Sequence, residues 1–151
     1  MDPTEKRAGK YYQLFKVHKE HTHPNLPDGR PIVSGCGSIT ENISLFVDAH
    51  TKHLVKEIPS YLQDTPDFLR HLEELKKEPL PKDCFPVSID VVGLYNNIPH
   101  EEGIECMRKE LDNREDQTIP THFLITLLTL VITWNVFEFG LKLFLQLNYC
   151  I

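Results

Sequence analysis

The stretch "PTHFLITLLTLVITW", residues 120 to 134, is apolar on most faces of any helix it forms. A helix without a polar face has to be central, with other elements packed around it. Its apolar core from Phe123 to Trp134 is twelve residues long and includes three threonines, whereas a membrane span needs ~20 apolar residues. We therefore expect a buried helix and no membrane partner. The chain of 151 residues, 40% apolar and 25% charged, has the length and composition of a folded domain with a real core.

Punctuation along the chain gives the remaining elements. The first ten residues are polar and are expected to be disordered. The run "YYQLFKVHK" from Tyr11 alternates as a strand does, "EHTHPNLPDGR" reads as a connecting loop, and a second strand is expected over Arg30 to Ser34. Thr40 or Asn42 can cap a helix with Ile43, Phe46, Val47, His50, Leu54 and Ile58 on one face, ended by Pro59. A second helix begins at Asp64 or Thr65, with Pro66 in its first turn and Phe68, Leu69, Leu72 and Leu75 aligned.

The segment "KKEPLPKD" then breaks the chain at about Leu80. This divides it into an 11–80 subdomain and an 81–151 subdomain. A strand is expected over Phe85 to Val92, and a helix over His100 to Asn113, entered through Pro99 with Glu101 and Glu102 at its positive end. The tail "NVFEFGLKLFLQLN" alternates around Gly140 as a hairpin. The expected class is α+β, a small antiparallel sheet packed with helices.

The charge of −6 is uneven. Residues 1–40 hold six Lys and Arg against four Asp and Glu, and residues 41–151 hold ten against eighteen. A phosphate-bearing ligand would be attracted by the first part and repelled by the second. Four scattered cysteines, at 36, 84, 106 and 150, form no C-x-x-C pair, and the start has no apolar signal region, so a reduced, intracellular protein, nuclear or cytoplasmic, is expected. His18, His21 and His23 lie close together in one loop, without a fourth ligand at regular spacing.

Within "PVSIDVVGLYNNIPHEEG", Asp90 is the one carboxylate in the strand-like run, flanked by Val87, Ile89, Val91 and Val92. A buried charge in such a run is either neutralised by a partner or is a working group. Asp90 beside the carbonyl of Val91 is half of a site for a hard divalent cation; equally, Asp90 is a structural residue bonded to nearby amides.

The segment "VSIDVVGLYNNIPHEEGI" resembles the first palm motif of reverse transcriptases of Penelope-like retroelements, close to "VSFDVVSLYTNIP". Upstream, "QLFKVHK" and "GRPIVSGCGSITENIS" resemble that family's fingers motifs, and "TWNVFEFGLKLFLQLN" resembles its hairpin before the second palm motif. The resemblance runs from about Tyr11 to Asn148, in order. It implies a partial right-hand polymerase fold, fingers plus incomplete palm.

It also implies roles. Asp90 matches the first metal-binding aspartate, with Mg²⁺ as cofactor, and Val91 the residue whose carbonyl helps to hold the metal. Tyr95 matches the aromatic that packs under the nucleotide sugar. Lys16 and Arg30 match the basic residues on the incoming triphosphate, so the implied partners are an RNA/DNA template-primer and a dNTP. Phe15, Leu141 and Asn96 depart from the usual proline, glycine and threonine. The motif with paired aspartates does not follow "LQLNYCI", and the expectation is a reverse transcriptase fragment inactive alone, or a domesticated module that binds nucleic acid or protein without turnover.

Overall fold

A computed structural model of the chain describes residues 6–17, 27–77, 79–91 and 94–146. Strand β1 (Gly9–Phe15) pairs antiparallel with β2 (Gly29–Ser34), in a register running from Lys10 opposite Ser34 to Phe15 opposite Gly29. Residues 6–10, part of the start expected to be disordered, are held in the fold. Arg7 bridges to Ser38, its N–H donates to the Gly37 carbonyl at 3.0 Å, and Lys6 pairs with Glu41. Gly9 has a steric reason, because a Cβ there would come within 2.9 Å of the Ser34 carbonyl oxygen.

Helix α1 (Glu41–Thr51) follows, and after it a separate 3-10 turn, Leu54–Glu57. A single helix to Ile58 was expected from the spacing. The helix stops earlier, where the Thr51 hydroxyl donates back to the Val47 carbonyl at 2.9 Å and His50 Nδ1 lies 2.8 Å from that of Phe46. Such side-chain bonds compete with the main-chain ladder and bend helices. Helix α2 (Thr65–Leu75) has a reciprocal cap: Asp64 accepts the Asp67 N–H at 2.8 Å, while the Asp67 carboxylate accepts that of Gln63 at 3.0 Å. Its Phe68, Leu69, Leu72 and Leu75 stay exposed.

A single helical turn, α3 (Leu94–Asn97), precedes α4 (His100–Asn113), α5 (Thr121–Thr133) and a hairpin of β3 (Val136–Phe139) and β4 (Lys142–Leu145). The hairpin closes despite Leu141. Of the two loop residues Gly140 alone adopts positive φ, at 65°, and a two-residue loop of the type that takes glycine first leaves the second position open to other residues.

The sheet order is β2-β1-β3-β4, and β1 runs parallel to β3 through Gly9 opposite Phe137 and Lys10 opposite Glu138. The sheet is thus mixed, not antiparallel as expected. The reason is that a long helical crossover separates β2 from β3, which frees the incoming hairpin to dock in either direction. The strand expected over Phe85–Val92 does not form among the described residues: Cys84 to Val91 makes no ladder, and Phe85, Val87, Ile89 and Val91 are 58–87% exposed. Alternation specifies an extended pattern but does not supply a neighbouring strand.

The core lies where α1 and α4 pack against α5. Leu54, Leu111, Leu124 and Ile125 are buried there, with Ile104, Met107, Ile119 and Leu128 against them. The apolar α5 is central, as expected. Its Thr126, Thr129 and Thr133 hydroxyls donate to carbonyls one turn back at 2.7–2.8 Å, Thr129 in a part-buried place and the other two exposed. Among the described residues no helix is long and apolar enough to cross a membrane.

The α4–α5 loop holds one perturbed acid. The Thr118 hydroxyl and N–H donate to Asp116 at 2.6 and 2.9 Å and hold its carboxyl below the ordinary aspartate range, with smaller help from the charges of Arg114 and His50. A lowered folded-state pKa stabilises above the unfolded value, and that contribution fades as pH falls through the folded one. Carboxyl NMR titration should find Asp116 below the unfolded value in the wild type and higher in Thr118→Val, because the strongest of these bonds is gone. An unchanged midpoint in the variant would remove Thr118 as the cause.

Candidate functional site

The β1–β2 hairpin brings two of the expected site residues together. Arg30 stands opposite Leu14 in the ladder, and Lys16 continues it, its N–H donating to the Asp28 carbonyl at 2.8 Å. Side chains two apart on a strand share a face. Lys16 therefore lies on the face of Leu14 and Arg30, as a diagonal neighbour of Arg30 with Cβ atoms roughly 7 Å apart. The Gln13 side chain lies over Gly29, where a Cβ would meet its amide at 1.7 Å. That contact belongs to the opposite face; on the shared face, the residue opposite Lys16 is Asp28.

Arg30 is exposed and Lys16 half-buried, and neither side chain is ion-paired among the described residues. The pair presents a planar donor fork beside a mobile ammonium. That combination can hold an anion with several oxygens, such as a phosphate chain.

Asp90 does not stand on a strand. It is exposed, in the irregular stretch before Val91, and no hydrogen bond or ion pair joins it to Lys16, Arg30 or any other described residue. The buried strand that raised the question of its counter-charge does not form. Val91 is 58% exposed beside it. Tyr95 falls in the turn α3, and its side chain lies outside the described residues, as do His18, His21 and His23.

No three His, Cys, Asp or Glu side chains gather as a metal requires among the described residues. Asp90 and the Val91 carbonyl supply only part of the octahedral oxygen shell of Mg²⁺. The described residues do not by themselves fit a resident metal.

An exposed carboxylate without partners carries little folding energy. Asp90→Asn should shift the urea midpoint by an amount worth less than ~0.5 kcal/mol. A loss near ~3 kcal/mol, the cost of breaking a buried pair, would place Asp90 in a structural role instead.

Two clusters were not legible from spacing. A hollow of about 190 Å³ is lined by His50, His53, Arg114, Asp116 and Thr118, bringing together the end of α1 and the α4–α5 loop. A larger one lies between Arg7, the residue 38–40 turn and Trp134. Their members are scattered in sequence, and only the packing joins them. Comparison with known proteins finds no matching family model, and no curated protein or solved structure of significant similarity.

Proposed function

We propose that this chain is the fingers and front-palm portion of a reverse transcriptase of the Penelope-like kind, an RNA-directed DNA polymerase whose substrates are a dNTP and a template-primer. The observation that carries the reading is the shared face of Lys16 and Arg30 at the loop end of the β1–β2 hairpin, in the part of the chain where cations exceed acids. On this reading the hairpin holds the triphosphate. Asp90 and Val91 contribute to a metal centre only together with further carboxylates, and Tyr95 meets the sugar.

The first test is nucleotide binding. Fluorescence anisotropy of a methylanthraniloyl-dATP should report salt-sensitive binding by the wild type, weakened about tenfold in Lys16→Ala and in Arg30→Ala, as expected for loss of a charge-assisted bond. Lys10→Ala is the control, because Lys10 pairs with Ser34 at the other end of the same ladder. Negligible binding by the wild type, or an equal loss in Lys10→Ala, would overturn the assignment.

A second reading, a module that binds protein without catalysis, is favoured by one feature. Phe85, Val87, Ile89 and Val91 alternate along an exposed segment with no ladder of its own. Such a segment is suited to pairing with a strand edge elsewhere.

A further inference from the structure

The second hollow has features that the nucleotide reading does not use. It measures about 310 Å³, and its walls come from the start of β1, the end of β2, the turn that follows and the junction of α5 with β3. Val33, Ile39 and Val136 make much of it apolar, and Trp134 stands at it with 69% of its surface exposed. A volume of this size suits a small organic molecule. An indole left open beside an apolar hollow offers a flat face against which a planar ring can stack.

One charged side chain lines it, that of Arg7. The neighbouring acid, Glu41, is taken by Lys6 at 3.6 Å, and Arg7 has no ion pair among the described residues. Its position is built into the fold. The backbone of Arg7 is tied to Gly37 at 3.0 Å and bridged to Ser38, and its side chain lies across the bare Gly37, where a Cβ would come within 3.2 Å of Nε. Gly37 also has φ of 76°, which other residues rarely adopt. The turn therefore both needs glycine and makes room for the guanidinium.

The chemistry of the walls narrows the ligand. Phosphates and metal-bound anions call for several converging cations, and here one planar fork stands at the edge of a mainly apolar space, beside the neutral side chains of Ser38 and Thr40, whose hydroxyls bond each other at 3.2 Å, and of Asn135, whose amide donates to the Ile132 carbonyl. A carboxylate matches that fork in a two-point bond. The ring attached to the carboxylate would fill the apolar part and cover Trp134.

We propose that the hollow between Arg7 and Trp134 is a binding site for a small planar aromatic carboxylate, held by its acid group on Arg7 and by its ring against Trp134. This site is separate from the face of Lys16 and Arg30 and does not depend on it.

Trp134 is the sole tryptophan of the chain, so its indole N–H gives a single resolved NMR signal at the site. The probe is 2-naphthoate, with 2-naphthalenemethanol as the uncharged counterpart. In the wild type, naphthoate should shift the indole signal saturably and bind about tenfold more tightly than the alcohol, the usual worth of a hydrogen bond to a charged group. Arg7→Gln should bring the two ligands to equal affinity. Arg108→Gln, which removes the same charge from a substantially exposed position on α4, should leave the preference intact. The proposal is overturned by an indole signal that does not saturate with naphthoate, by equal affinities in the wild type, by a preference that survives in Arg7→Gln, or by an equal loss in Arg108→Gln.

Discussion

Replacing Arg114 by methionine should destabilise the fold by about 3 kcal/mol, although the side chain sits in a loop and touches no carboxylate. Arg114 is 9% exposed. Its guanidinium donates to the carbonyls of Leu111 and Ile119 and, at 2.9 Å, to the Thr121 hydroxyl. These acceptors are the last turn of α4, the loop and the first residue of α5, so one planar group joins the two helices that bury most of the core. Methionine keeps much of the volume but none of the donors. The Leu111 carbonyl would retain the Thr121 hydroxyl at 3.3 Å, whereas among the described residues no other donor reaches that of Ile119.

A carbonyl left without a donor in a part-buried place pays the cost of its lost hydration, and that asymmetry makes the loss large. Arg114→Lys should fall between, since an ammonium retains charge but cannot span the same acceptors. Arg108→Met is the comparison. Arg108 faces Glu105 at 3.6 Å with both side chains substantially exposed, and such a pair is worth less than ~1 kcal/mol. Urea unfolding of the three variants gives the answer, and equal midpoints for Arg114→Met and Arg108→Met would show that the loop does not clamp the helices.

The contrast between these arginines shows which parts of the fold could be read from the sequence. Elements whose boundaries are set by local chemistry were legible. Helix α4 occupies His100–Asn113 because Pro99 and two glutamates define its entry, α2 begins at the aspartate that caps it, and the hairpin turns at Gly140. Pairing between distant segments was not. Nothing in Gly9 or Phe137 announces that they will lie side by side in a parallel ladder, and nothing in the alternation around Asp90 reveals that the segment has no neighbour to pair with. Arg114 carries no periodic signature at all, because two of its three partners are main-chain carbonyls that any sequence supplies and the third, the Thr121 hydroxyl, lies seven residues on. For the candidate site, the adjacency of Lys16 and Arg30 follows from a hairpin that strand periodicity foretold. The hollow at Trp134 depends on how α5 delivers the β3–β4 hairpin against β1, a tertiary fact.

Leu124→Ala should be among the most damaging single changes, at about 3 kcal/mol or more, within the range for deleting a fully buried leucine side chain. Leu124 is 1% exposed and belongs to the cluster with Leu54, Leu111 and Ile125. Its position on α5 makes it more than one contact among several, because α5 is the helix against which both α1 and α4 pack. A cavity there removes contacts from both helix pairs at once, and a dense interior relaxes only partly to refill it. Six apolar side chains are buried among the described residues, so the core is small, and a loss of this size is a large share of the roughly 5–15 kcal/mol that holds an ordinary domain together. Leu72→Ala on α2 provides the contrast. Leu72 belongs to the exposed apolar face of that helix, 36% accessible, and its truncation should cost well under ~1 kcal/mol, since little surface leaves contact. Urea midpoints for the two variants decide the point: if Leu124→Ala costs no more than Leu72→Ala, the stability of the chain does not rest on the α1, α4 and α5 cluster, and the exposed face of α2 would have to be covered in solution.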